Sequence, residues 1–335
     1  MKLLSHFNTS DKKLLNIIND DWPFQFLPGF SSFNLAFYTQ HVFIVFDEEL
    51  QAFMPIRFQD YKIFSHGQIL FAPMRNAKEL SPEEQLLFFE NLKKTLYYGG
   101  NCERLMQPHP YSILAAHPAG SEYCEFGTYV VDLENQTPEV ILEKFHPKYQ
   151  KAVSHSVKNN AVVKIGMDVL PDFFRAYETT MKRINKYYDS YSYFENLLKY
   201  LGDERICCAV VYDQGEVVSG IFLIYTKYGA FLTHAGTQGE SKLYGAAKLL
   251  NFETMKYLQN KGVKRYDFVG VRLKNENNPE LEGVFRFKKG FGGDLKQGYL
   301  WKHDILPMKA KLFDILLYVK TKGKKSFDII DQVNQ

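Results

Sequence analysis

One order of elements occurs twice in this chain, and it limits the fold more than any single motif. Ile206 to Tyr212 is a continuous apolar strand, Asp213-Gln214-Gly215-Glu216 is a turn, and Val217 to Tyr225 returns as a hairpin partner. A third strand, Ala230 to Ala235, follows Lys227-Tyr228-Gly229. A helix is expected from about Ser241 to Asn260, because Leu243, Ala246, Ala247, Leu250, Thr254, Tyr257 and Leu258 recur at helical spacing. Lys261-Gly262 ends it, and Val263 to Val269 is a strand. Earlier in the chain, Val42 to Phe46, a turn at Asp47-Glu48-Glu49 and Ala52 to Phe58 form the same hairpin, with further strand at Tyr61 to Phe64 and Gln68 to Phe71. Ser81-Pro82-Glu83-Glu84 then opens a helix with a capping Ser, Pro at the first helical position and Glu three residues on. That helix ends at Gly99-Gly100, and Glu103 to Met106 resumes as strand. The expectation is an α/β (α+β) protein of two tandem modules, each a mixed, mostly antiparallel sheet flanked by helices. The boundaries fall at 1–140, 141–305 and a tail, 306–335.

Size and composition agree with two domains. A chain of 335 residues exceeds one ordinary core, and 45% hydrophobic residues exclude a disordered one. The net charge of +3 argues by itself for neither nucleic acid nor membrane. Its distribution says more. The tail sets Lys309, Lys311, Lys320, Lys322, Lys324 and Lys325 among Leu312, Ile315, Leu316 and Val319, a pattern for a basic amphipathic helix. Such a helix rests on an anionic membrane, touches an RNA backbone, or packs on its own domain. The start, Met1-Lys2-Leu3-Leu4-Ser5-His6, lacks an apolar stretch long enough for a signal peptide, and no run approaches the roughly 20 apolar residues of a spanning helix. A cytoplasmic protein is expected, peripheral to the inner membrane face if the tail binds there. Cys102, Cys124, Cys207 and Cys208 have no zinc-ligand spacing, so no metal is expected. The histidines, His109 and His117 among them, read as structural.

The two helix starts differ in charge. Glu83 and Glu84 would repel an anion, whereas Lys242-Leu243-Tyr244-Gly245-Ala246-Ala247 offers a cation and a glycine where free N–H groups bind phosphate. Lys242 and Gly245 are therefore the donor-binding candidates, although close packing would also explain the glycine. Between the modules, Leu133 to Pro147 reads as a linker. Lys148, Lys151, His155 and Lys158 follow on one helical stretch, able to meet phosphates or simply to face solvent.

Two aromatic, glycine-punctuated clusters remain: Tyr266-Asp267-Phe268-Val269-Gly270 and Phe285-Arg286-Phe287-Lys288-Lys289-Gly290-Phe291-Gly292-Gly293. A lysine held among rings is partly desolvated, so its charge acts strongly at short range. Aminolysis of an ester or thioester passes through an oxyanion that needs such a charge, and the attacking amine must lose a proton. Lys288 is the candidate cation. Asp267 is the candidate base, with capping of the loop after its strand as the other reading. Phe287 is placed to flank a ligand or to pack, Lys289 faces solvent, and the glycines serve the backbone.

These clusters, with the basic stretch from Lys148 to Gly166 and the helix containing Thr179-Thr180-Met181-Lys182-Arg183, resemble the Fem family of peptidoglycan bridge aminoacyltransferases. The likeness covers roughly residues 140 to 300, and the Phe-Lys-x-x-Phe-Gly motif, here Phe287 to Gly292, is its most specific part. The resemblance implies tandem domains of the GNAT acyltransferase fold. It also implies an aminoacyl-tRNA donor, an amine acceptor on a cell-envelope precursor (a muropeptide), a central role for Lys288, and Arg183 as a candidate for the acceptor's phosphates. Two alternatives stand beside it. Lys242-x-x-Gly245-x-Ala247 approaches the GNAT pyrophosphate loop, which fits an acyl-CoA-dependent N-acyltransferase acting on an amino sugar, though that loop usually opens with Gln or Arg. The other is a tandem scaffold without activity.

Overall fold

The computed structural model describes residues 1–100, 102–239, 243–273, 278–322 and 327–334. The chain runs through β1 (Lys2–Leu4), α1 (Lys12–Leu15), α2 (Pro28–Tyr38), β2 (His41–Asp47), β3 (Ala52–Tyr61), β4 (Phe64–Ile69), β5 (Met74–Arg75), β6 (Lys78–Glu79), α3 (Pro82–Gly99) and β7 (Arg104–Met106). It continues through β8 (Glu122–Asp132), α4 (Pro138–Lys144), α5 (Pro147–Lys158), β9 (Val162–Ile165), α6 (Leu170–Arg183), α7 (Tyr191–Leu201), β10 (Ile206–Asp213), β11 (Glu216–Tyr225) and β12 (Ala230–Thr237). The last part comprises α8 (Ala246–Asn260), β13 (Arg265–Asp267), β14 (Val271–Arg272), α9 (Pro279–Lys289), β15 (Asp294–Asp304), α10 (Pro307–Lys320) and α11 (Ile329–Asn334).

The repeated order is present in space. In the first run β2, β3 and β4 pair antiparallel, and α3 crosses over to place β7 parallel to β4. In the second, β10, β11 and β12 pair antiparallel, and α8 crosses over to place β13 parallel to β12. A parallel pair demands such a crossover, because no tight turn can return the chain in the same direction. Local chemistry fixes the ends. Gln214 and Gly215, at φ 50° and 86°, form a two-residue turn whose twist matches its strands. Ser81 Oγ accepts from Glu84 N at 3.2 Å while the Glu84 carboxylate accepts from Ser81 N at 3.1 Å, completing the capping box.

Several boundaries differ from expectation. β3 extends to Tyr61 and β4 begins at Phe64, so Tyr61 and Phe64 close a hairpin instead of starting a separate strand. The stretch Leu133–Pro147 contains α4, which Thr137 caps from its side chain. β13 stops at Asp267, because Val269 adopts the left-handed conformation. The second aromatic cluster begins on a helix, α9. α8 starts at Ala246, and Ser241 and Lys242 lie outside the described residues.

The strands β8 and β15 were not anticipated. They pair antiparallel from Asp294↔Val130 to Lys302↔Glu122, and the end of β15 turns to pair β7 at His303 and Asp304. One strand thus joins both runs into a continuous sheet path, β1-β2-β3-β4-β7-β15-β8-β13-β12-β11-β10-β9. One core cluster spans this join, with Trp22, Phe26 and Phe88 from the first run beside Phe173, Phe194 and Phe222 from the second. Each such ring contributes about 1.5–3 kcal/mol by leaving water. A second cluster under α5, α8 and α9 holds Phe145, Met255, Tyr266, Phe268 and Phe291.

The tail folds back on the first run. Arg104 bridges Asp304 at 2.5 Å and Asp314 at 2.7 Å, and Phe313 lies 4.4 Å from the His66 ring. Met308, Leu312, Ile315 and Val319 form the opposite stripe of α10 and are 89%, 47%, 53% and 70% exposed. No helix among the described residues is long and apolar enough to cross a membrane.

Candidate active site

The site grows from the turn after β13. Asp267 is buried, and its Oδ1 accepts from Thr128 Oγ1 at 2.5 Å and from Val269 N at 2.7 Å. The second bond folds the chain back and holds Val269 at φ 55°, a conformation that costs a β-branched residue roughly 1–3 kcal/mol. A side chain at Gly270 would meet the Phe126 ring at 2.6 Å and Pro110 at 2.9 Å, so only glycine fits. Lys288 reaches across from α9 and donates from Nζ to the carbonyls of Val269 at 2.5 Å and Gly270 at 2.7 Å. Those carbonyls would otherwise be unpaired, and the lysine is what holds the strained turn.

Burial pushes the Lys288 ammonium down to about 8 against the opposing pull of the Asp267 carboxylate. Burial raises Asp267, opposed by the bonds from Thr128 and Val269 and by the Lys296 and Lys288 ammoniums. Lysine and aspartate thus share one turn: Lys288 donates to two of its carbonyls, and Asp267 accepts from one of its N–H groups and from the Thr128 hydroxyl. The loop-capping arrangement is the one seen for Asp267.

The turn is also tied to a cavity. Gly270 N donates to Pro110 O at 3.2 Å, and the neighbours of that proline, His109 and Tyr111, stack at 3.8 Å along a cavity of about 330 Å³. The opposite wall comes from the second run. β12 pairs with β13 only at Ala230 and Phe231 and then continues with β11 on its other side, and Thr233 and His234 just beyond that point line the cavity. His234 Nε2 lies 3.2 Å from Asp189 Oδ2 and Nδ1 lies 2.9 Å from Thr233 Oγ1. Rings of Tyr177 and Phe194 pack against the imidazole at 5.3 and 4.9 Å. Arg57 completes the polar lining from β3. Enclosure by the cavity walls and the Arg57 and His234 charges lower His109 below the usual imidazole range, although its ring keeps contact with solvent. His109, expected to be structural, stacks on Tyr111 and lines the cavity.

The remaining candidates are spread over the second run. Phe287 packs between helices, its ring 5.1 Å from Phe291 and its carbonyl accepting from Tyr149 at 3.3 Å. Lys248 Nζ sits 5.4 Å from the Phe287 ring and 5.3 Å from that of Tyr149, a cation the sequence reading missed. Lys148 and Lys151 lie on the exposed face of α5. Gly245 is held at φ 100°, and a Cβ there would stand 2.2 Å from Ala152 O, so α5 packs directly on the start of α8. Ser156 and His155 bond Tyr244 O at 3.1 and 3.2 Å, closing that helix start further. Lys242 lies outside the described residues. Arg183 ends α6, where its guanidinium meets Thr237 Oγ1 at 3.4 Å at the far end of β12. Among the described residues no three His, Cys, Asp or Glu side chains converge to hold a metal ion.

The pocket residues Arg57, Asp189 and His234 carry no recognisable motif. His234 is one histidine in an apolar strand, and Asp189 stands in the tyrosine-rich stretch from Tyr187 to Tyr193. The only available signal was a polar residue within each apolar pattern.

Comparison with known proteins places this geometry. Residues 209–299 match the FemAB family. A crystal structure of FemX superposes with a TM-score of 0.69 at 13% identity, covering 93% of this chain and 99% of that one. A tandem GNAT protein from the clavulanic acid biosynthesis pathway superposes with a TM-score of 0.51 at 10% identity, covering 90% and 97%. No curated protein sequence matches the chain. At these identities the structural likeness establishes a shared tandem GNAT fold. The sequence match falls on β10 to β15, the part that carries His234, the Val269–Gly270 turn and Lys288, so this stretch is similar to the FemAB family.

Proposed function

We propose that this protein transfers an aminoacyl group from aminoacyl-tRNA to an amine of a cell-envelope precursor of the peptidoglycan type. The observation that carries the reading is the coincidence of the family match with one wall of the cavity and with the clamped turn. The amine enters the cavity and gives its proton to the Asp189–His234 pair, and its nitrogen forms a bond to the ester carbonyl. The oxyanion collapses with loss of the C–O bond to the donor's ribose oxygen, which takes the proton. Lys288 holds the Val269–Gly270 turn and supplies the nearby positive charge. Asp267 sets the turn's shape. Residues 141–305, with β8 added to their sheet, form the unit bearing this chemistry, and residues 1–140 form the opposite wall.

Partner surfaces follow from the same geometry. Lys148, Lys151 and Arg183 meet phosphates of donor or acceptor at the surface, and Phe287 supports the helix cluster beneath. The outward stripe of α10, with Lys309, Lys311 and Lys320 beside it, rests on the anionic inner face of a membrane that presents a lipid-linked acceptor. The covered start of α8 weighs against acyl-CoA, whose pyrophosphate would need that helix start open.

A donor screen tests the reading. Purified protein is incubated with each charged tRNA and each common acyl-CoA, with muropeptide precursors as acceptors, and amide formation is followed by mass spectrometry. Transfer from a charged tRNA is expected. Transfer from acyl-CoA alone overturns it.

A further inference from the structure

Charge is distributed unevenly around the cavity. Arg57 donates to Asn34 Oδ1 at 3.1 Å and to Gln68 Oε1, both neutral, and its guanidinium lies 5.7 Å from the Tyr38 ring. No carboxylate pairs with it among the described residues. Across the cavity Asp189 Oδ2 lies 3.2 Å from His234 Nε2, and Asp189 keeps a quarter of its side chain exposed. Gln40 belongs to the same wall, with its Oε1 enclosed and without a hydrogen-bond partner.

The two charges are close enough to act on one hydroxyl. Burial, then the Asp189 carboxylate, push Tyr38 up to about 12 while Arg57 pulls it down. His109 is neutral, and burial holds the Tyr111 and Tyr193 hydroxyls protonated. The cavity therefore offers one guanidinium lacking an anion and one carboxylate beside an imidazole, within largely aromatic walls.

Resting on the aminoacyl-transfer reading, we propose that this cavity is the acceptor subsite and that it selects an amine whose own carbon chain ends in a carboxylate. Arg57 takes the carboxylate through its remaining N–H donors, held in place by Asn34 and Gln68. The amine meets Asp189–His234. A phosphate fits this lining poorly, because Asp189 would repel its second charge. A cavity of about 330 Å³ accommodates a group of amino-acid size.

The test uses the full-length protein and two probes. Nα-acetyl-L-lysine carries the amine and the carboxylate, and Nα-acetyl-L-lysinamide carries the amine alone. Isothermal titration is expected to show the acid binding about 10- to 100-fold more tightly, the usual effect of one charge-assisted pair. In Arg57→Gln that preference disappears, and Arg57→Lys retains part of it. Asp189→Asn weakens both probes alike. Circular dichroism checks that the variants fold, and the acid-to-amide comparison in the unaltered protein stands without them. Equal affinities, no binding of the acid, or a preference that survives Arg57→Gln overturns the proposal. Selective binding without transfer from any charged tRNA leaves the subsite standing and removes the transfer reading. Transfer without selectivity does the reverse.

Discussion

Replacing Lys288 by Met keeps the length of the side chain and removes its charge and its donors, and the structure sets what should follow. The ammonium is enclosed at its tip while the stem is partly exposed, and enclosure takes it from 10.5 to about 8. At 1.36 kcal/mol for each tenfold change, that difference corresponds to about 3 kcal/mol. The sign follows from proton binding. The unfolded chain keeps its lysine proton up to 10.5, whereas the folded chain releases it near 8. Between these values the unfolded state binds more protons, so stability rises with pH, and the charge penalty is fully present below the lower value. Met removes the penalty but leaves the Val269 and Gly270 carbonyls unpaired, at about 1–3 kcal/mol each. These effects oppose each other at neutral pH, where wild type and Lys288→Met should differ modestly. From pH 8 to 10.5 the wild type should gain up to about 3 kcal/mol on the variant, because other titrations cancel in the difference. Urea unfolding by circular dichroism at several pH values measures it. Transfer activity should fall at least about 100-fold in the same variant. A stability difference that stays flat across this window would show that the ammonium is not enclosed. Unchanged transfer would remove Lys288 from the mechanism.

Burial raises Asp267, so the stability its protonated form contributes at low pH is lost as pH rises through its folded value. Asp267→Asn retains the acceptor for Val269 N and should melt at or above the wild-type temperature at neutral pH, whereas Asp267→Ala should lose about 1–3 kcal/mol. Gly245→Ala places a Cβ against Ala152 O at positive φ and should destabilise by about 2 kcal/mol or more in denaturant titration. A donor affinity that fell without loss of stability would instead favour phosphate binding there. Ile315→Glu with Val319→Glu, both on the outward stripe of α10, should abolish sedimentation with anionic vesicles while shifting stability by no more than about 1 kcal/mol. Sedimentation equal to wild type would leave α10 without a membrane role.

The legible parts of this protein were those set by neighbours in the chain. The capping box at Ser81, the Gln214-Gly215 turn and the apolar strand from Ile206 each follow from a few adjacent residues, and each appears where its residues place it. The aromatic clusters brought Lys288 and Asp267 forward together, and the two hold the same turn without a direct hydrogen bond between them. Their roles were not legible, because a lysine's hydrogen bonds to carbonyls 18 and 19 residues away depend on how α9 lies across the turn. The strands β8 and β15 escaped notice because their pairing spans more than a hundred residues, and the strand period alone does not give a partner.

What the chain determined by itself was therefore the repeated module and the chemistry concentrated near residues 266–293. The cavity was decided only in three dimensions. Arg57 on β3, His109 beside Pro110, Asp189 before α7 and His234 on β12 are brought together because β15 joins two sheets and β12 outruns its parallel partner. A guanidinium without an anion and a carboxylate beside an imidazole have meaning only when they face the same space, and no local rule of sequence encodes that distance.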